Sequence, residues 1–150
     1  MTDPNEPELL EHIGWRLHVV FQRWKTLFAQ KMVEQGCPWI AEARGELIQH
    51  ISRKGVGQNV LVERSGLTKQ AVQQHLDALA ADGVIERVSD PKDARKKRVL
   101  FTDKGIDSLH RANAVKREIE SEFIELLGKK EFAQLSKALQ RLSDPPRAQG

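Results

Sequence analysis

GQNVLVERSGLTKQAVQQHLDALAADGVIERVSDPKDARKKRVLFTDKG, residues 57–105, divides into two short helices and a hairpin. The first helix spans Gln58–Ser65 and is closed by Gly66, a residue that accepts the left-handed conformation a tight helix–helix turn needs. Leu67 turns the corner, and the Thr68 hydroxyl stands where it can accept free N–H groups of the next turn. The second helix extends from Thr68 to Asp82 and stops at Gly83. Val72, Leu76 and Leu79 recur on it at i, i+4 and i+7, which makes one buried stripe. Two strands follow, near Val84–Val88 and Arg98–Thr102. They are joined through Ser89-Asp90-Pro91, where proline fixes φ and aspartate bonds its own backbone.

What this unit exposes matters as much as what it buries. At about 100° per residue, Lys69, Gln70, Gln73, Gln74 and Asp77 face away from the stripe. That face is mostly neutral amide, and glutamine can pair bidentately with adenine in a major groove. Glutamine is also simply a good helix former on a wet surface, and on the helix alone both readings stand. The hairpin separates them. Arg87, Lys92, Arg95, Lys96, Lys97 and Arg98 stand against Asp90 and Asp93, a balance of +4, whereas the whole chain carries only +3. Lysines suit phosphates, and arginine suits the negative potential of a narrow minor groove. The expectation is a duplex-DNA reader, with Thr68, Lys69, Gln70, Gln73 and Gln74 on the helix and Arg95, Lys96 and Lys97 on the wing. Two rivals remain: a sequence-indifferent DNA binder, and a winged helix used to bind protein.

These residues resemble the MarR family of bacterial transcription regulators. The similarity is tightest in Gly83-Val84-Ile85-Glu86-Arg87, Asp93-Ala94-Arg95 and Val99-Leu100-Phe101-Thr102-Asp103-Lys104-Gly105, within a match over about 44–105. The resemblance implies that Asp93 braces the wing and Arg95 enters the minor groove. It also implies a regulator, more often a repressor, that acts as a homodimer and can respond to a small-molecule effector. Ala94 departs from the pattern where a second arginine is common, and Phe101 stands in place of leucine.

Outward from the reader, the remaining chain reads as long helices. Residues 8–35 repeat apolar side chains at 3–4 spacing through Leu10, Ile13, Leu17, Val20 or Phe21, Trp24, Phe28 and Met32, with Glu8 and Glu11 at the start. Gly36-Cys37-Pro38 ends that helix, and Ala43–Ser52 forms another on Leu47, Ile48 and Ile51. Arg53 and Lys54 close it and offer further phosphate contacts within a reader spanning 43–105. Thr102 caps a helix that runs to about Leu127, with Ile106, Leu109, Val115, Ile119, Phe123 and Leu126 or Leu127 as its stripe. Gly128 breaks it, and Lys129–Leu142 follows on Phe132, Leu135, Leu139 and Leu142. Helices this long cannot bury their stripes on a small reader, so 8–35 and 106–142 are expected to be dimerisation helices of a homodimer. Residues 1–7 and 144–150 read as loose tails. The expected fold class is therefore mainly α with a small β-hairpin wing, a winged helix-turn-helix flanked by terminal dimerisation helices.

With 150 residues, 39% hydrophobic and 30% charged, the chain suits one domain. It has no apolar run of membrane-spanning length and no basic-then-apolar leader, and its single cysteine fits a reducing compartment. The expected location is the cytoplasm, with no membrane partner. Cys37, just past a helix C-terminus and without a neighbouring cation in sequence, reads as an inert thiol, the alternative implied by the resemblance being a redox-responsive one. His12, His18, His50, His75 and His110 include no i, i+4 metal pair, and Glu118, Glu120 and Glu122 step by two, a spacing that spreads them around a helix. Neither metal, cofactor nor enzymatic constellation is expected. An effector cavity among Trp15, His18, Trp24, Phe28 and Trp39 is the alternative to those side chains merely filling the core.

Overall fold

A computed structural model describes residues 11–144, so the expectations for 1–7, for Glu8–Leu10 and for 145–150 lie outside the described residues. The chain order is α1 (Ile13–Glu34), a 3-10 turn (Pro38–Ala41), α2 (Ala43–Ile48), β1 (Val56–Gly57), α3 (Gln58–Ser65), α4 (Lys69–Ala81), β2 (Ile85–Ser89), β3 (Lys97–Phe101), α5 (Asp103–Leu127) and α6 (Lys129–Ser143). The sheet is antiparallel with β3 in the middle. β3 pairs β2 from Ile85↔Phe101 to Ser89↔Lys97, and pairs β1 through Val56↔Val99 and Gly57↔Arg98.

The reader is built as its local chemistry dictates. Gly66 takes φ +66° at the α3–α4 corner, where any Cβ would be strained. Thr68 caps α4 by accepting the Ala71 N–H at 3.1 Å. Val72, Leu76 and Leu79 are fully buried and pack with Leu61 of α3 and Val99 of β3. Thr102 joins three elements at once. Its hydroxyl caps α5 by accepting the Gly105 N–H at 3.1 Å and donates to Gly83 O at 2.5 Å. Gly105 sits so close to Val84 O that a Cβ there would lie 2.1 Å away, so only glycine lets α5 start against the sheet.

Several boundaries differ from the sequence expectation. α1 begins at Ile13 with His12 as N-cap, its imidazole accepting the Trp15 N–H at 3.4 Å. Glu11 lies outside the helix and pairs with Arg16 at 2.9 Å, so the expected acidic first turn is absent among the described residues. α2 stops at Ile48 rather than Ser52, although Leu47, Ile48 and Ile51 are all buried as the spacing implied. β1 and the 3-10 turn were not anticipated, because elements of two and four residues carry no readable period. On α5 the buried side is Gly105, Ser108, Ala112, Val115 and Ile119, whereas Ile106 is exposed. The small residues face inward because α5 lies close against its neighbours.

Two of the three α5 carboxylates do share a partner, contrary to the expectation from their spacing by two. Glu118 and Glu122 are four residues apart, hence on one face, and Lys31 of α1 bridges both at 2.5 and 3.0 Å. Counting by twos concealed the pair formed by the first and third members. The Glu118 hydrogen bond, and then that to Glu122, hold the Lys31 ammonium's pKa well above the usual lysine value.

Burial is uneven. The core joins Met32, Trp39, Leu47 and Cys37 to the reader's stripe and to Val115 and Ile119 of α5. The Cys37 thiol is buried, 3.6 Å from Ser108 Oγ. Beyond that core, Ile13 is 72% exposed and Leu142 is 73% exposed, and α6 buries none of its residues. Among the described residues no helix is long and apolar enough to cross a membrane.

Candidate nucleic-acid interface

The cationic hairpin is shaped by its own aspartates. Asp90 Oδ1 accepts the Lys92 N–H at 2.8 Å, and Asp93 Oδ1 accepts the Arg95 N–H at 3.1 Å. The Asp93 carbonyl takes the Lys96 N–H, and Asp90 and Lys96 close the loop backbone to backbone, both at 2.9 Å. The turn is thus set by side chain–backbone bonds, and Arg95, Lys96 and Lys97 remain exposed at its tip. Among the described residues none of these three enters an ion pair. Arg98 points the other way and donates to Lys54 O at 2.7 Å. That bond, with the Ser52 hydroxyl donating to Gly55 O at 2.7 Å, holds the exposed Arg53-Lys54 turn beside β3.

On α4, Thr68, Lys69, Gln70 and Gln74 are exposed as expected. Gln73 is different. It is half-buried, and both ends of its amide are engaged within the chain. Gln73 Oε1 accepts from Gln58 Nε2 at 2.7 Å, and Gln73 Nε2 donates to Asp77 Oδ1 at 3.0 Å. The same Asp77 oxygen receives Arg87 Nη2 at 2.5 Å. Helical periodicity puts Gln73 on the outward side and Asp77 one turn on at i+4; the partner that a helical wheel does not contain is Gln58 of α3.

These elements face one another across an open cleft of about 550 Å³ lined by Gln58, Asn59, Gln73, Arg87, Arg95, Lys96 and Lys97. Four of the seven are cations, and no carboxylate lines it. Gln58, Asn59 and Arg87 were not among the residues singled out from sequence as contacts. Arg87 was visible as one of the hairpin's charges, but nothing in sequence brings the start of α3 to the foot of the wing. Arg53 and Lys54 lie outside the cleft lining.

The five residues considered for an effector cavity do not share one place. A second cavity, of about 300 Å³, is bounded by α1, α2 and α5, and Trp24 and Phe28 line it together with Phe21, Ile40 and Leu109. Trp24 stacks on Phe28 with ring centroids 5.0 Å apart. Lys25, Lys116, Glu42 and Glu46 supply charges around it. Trp15 and His18 stack on each other at 5.5 Å on the exposed part of α1, while Trp39 is buried in the core. The two other aromatics follow the same spacing on α1, but the helix extends past the body of the protein before reaching them.

Residues 46–96 match the family model described as MarR family. Among curated protein sequences none matches the chain. Solved structures match it along most of its length. The apo form of wild-type MarR from E. coli is 20% identical with a TM-score of 0.73, covering 91% of this chain and 100% of that one. A mutant of that protein complexed with operator DNA is 22% identical with a TM-score of 0.68, covering 88% and 94%. The YusO protein from Bacillus subtilis is 23% identical with a TM-score of 0.65, covering 87% and 91%. The match over residues 46–96 is to the MarR family, and the chain around it has the winged helix-turn-helix fold of these solved structures.

Proposed function

We propose that this protein is a homodimeric, sequence-specific regulator of transcription that binds a pseudo-palindromic site in duplex DNA, acting in the cytoplasm and without enzymatic activity. The observation that carries the reading is one surface on which an amide-bearing helix start and an unpaired cationic wing tip flank a cleft free of carboxylates. Lys69, Gln70 and Gln74, with Thr68 at the helix start, take the major groove. Arg95 takes the adjacent minor groove, braced by Asp93, while Lys96, Lys97, Arg53 and Lys54 meet phosphates. A solved structure of similar fold is a complex with operator DNA, which supports duplex DNA as the partner of this chain.

The dimer is supported by what the single chain leaves uncovered: Ile13, Leu17, Val20 and Phe21 on α1, and Leu135, Leu139 and Leu142 on α6. Two-fold pairing through α1, α5 and α6 would set two α4 helices about one DNA turn apart, roughly 34 Å. Repression is the sign favoured by the family, and the cavity containing Trp24 and Phe28 is the place where an effector would act on the dimer–reader junction.

Selecting bound fragments from a random duplex pool tests the reading directly. The selected duplex should outcompete random duplex at physiological salt by about 10³ or more. Arg95→Ala should weaken that binding by about 1–3 kcal/mol. A folded dimer without preference for any duplex would return the protein to the sequence-indifferent or protein-binding alternatives.

A further inference from the structure

The hydrogen-bonded chain across the cleft has a direction. Asp77 is acceptor-only when ionised, so the Gln73 amide must turn its NH2 toward it. That leaves the Gln73 carbonyl facing Gln58, which must then present its own NH2. Arg87 on β2 fixes the far end of the sequence by donating to the same carboxylate oxygen. Four side chains therefore connect the first residue of α3, the middle of α4 and the first strand of the wing. Gln73 and Arg87 are half-buried and the Gln58–Gln73 bond is partly sheltered, while the Asp77 carboxylate that joins them is open to solvent.

From this we infer that Asp77 and Arg87, acting through Gln73 and Gln58, are positioning residues that set the wing at a fixed distance from the base-reading face of α4 before DNA is bound. The inference rests on the DNA-binding reading above and deepens it. A protein that must place Gln70 and Gln74 in a major groove and Arg95 in the neighbouring minor groove gains discrimination only if the two insertions are coupled. A free wing would let Arg95 find some minor groove on any sequence, and would lose the part of specificity that comes from groove spacing and shape. Preorganisation of the joint removes that freedom at no cost during binding. Gln73 is accordingly a strut, and base reading falls to Gln70 and Gln74.

The test is a double-mutant cycle between Asp77→Asn and Arg95→Ala, read on a duplex selected by the wild-type protein and on random duplex, at one salt concentration. In the wild type, Arg95→Ala should reduce affinity for the selected duplex by about 5- to 150-fold. With Asp77→Asn in place, the same change should cost about threefold or less, because a detached wing no longer reports on the major-groove register. Asp77→Asn by itself should narrow the gap between selected and random duplex, and should leave random-duplex affinity unchanged or raised, since a negative charge is removed near phosphates. Loss of stability alone would lower both affinities together and leave the Arg95 ratio untouched. The paired exchange Asp77→Arg with Arg87→Asp reverses the polarity, and the two amides can flip to match it. It should restore the Arg95→Ala penalty to within about threefold of wild type. The inference fails if the penalty is the same in both backgrounds with the wild type still selective, or if the folded exchange variant stays uncoupled. A wild-type protein that prefers no duplex removes the underlying reading as well.

Discussion

The centre and the ends of this molecule solve the burial problem differently. Within residues 56–105 each element finds its apolar partner in the same chain: Leu61, Val72, Leu76, Leu79, Val84 and Val99 are all inaccessible to solvent or nearly so. The first half of α1 and all of α6 do not. Their stripes are as regular as that of α4, yet Leu17, Val20, Leu135 and Leu139 are exposed to about the same degree as ordinary surface residues. Amphipathic spacing states that a helix has an apolar side; it does not state whose atoms will cover it. In the reader the cover is intramolecular. At the ends it is missing from the single chain, and this supports a second copy as the occupant.

That contrast can be broken by mutation. The largest effect belongs to the reader. Leu76→Ala should destabilise by about 2–5 kcal/mol, measured by denaturant unfolding, and the loss should be the same at every protein concentration. Leu139→Asp on α6 should behave oppositely, with little local damage but a shift to a smaller species in sedimentation and an unfolding midpoint that no longer rises with concentration. Concentration-dependence that survives Leu139→Asp would place the subunit contact elsewhere. A middle-sized effect is expected where the regions meet. Thr102→Ala removes the α5 cap and the bond to Gly83 O, and should cost about 1 kcal/mol.

The smallest effect sharpens the junction of α1 with α5. Lys31→Met removes the bridge to Glu118 and Glu122. Because the folded pKa of Lys31 is raised, its contribution is complete below the unfolded value of about 10.4 and fades as pH climbs through the folded one. The stability difference between wild type and Lys31→Met should therefore be small and flat from about pH 7 to 9, and should shrink only in stronger alkali. A difference that changes sign or size around neutrality would mean that another titrating group governs this contact.

Legibility followed the same division. α3 and α4 were readable almost to the residue, since Gly66, Thr68 and Gly83 are terminators whose action is local. The hairpin was readable because a charge cluster and turn-forming residues sit between two short apolar runs. β1 was not, because Val56–Gly57 becomes a strand only by pairing with Val99 and Arg98, more than forty positions away. The inward side of α5 was only half readable: Ser108 and Ala112 are buried by closeness of packing, and hydrophobicity gives no warning of that. For the interface, exposure of Gln70, Gln74, Arg95, Lys96 and Lys97 followed from period and charge, whereas the bond from Gln58 to Gln73 did not.

Local chemistry by itself thus decided the kinds of element, their caps, the reader's stripe and the position of the positive charge, because each depends on neighbours within a few residues. Only the tertiary arrangement decided that Gln58, Gln73, Asp77 and Arg87 would meet, that Lys31 would join two glutamates, and that Trp24 and Phe28 but not Trp15 would border a cavity. Those outcomes depend on distances between elements set by packing, and no spacing along one helix encodes them.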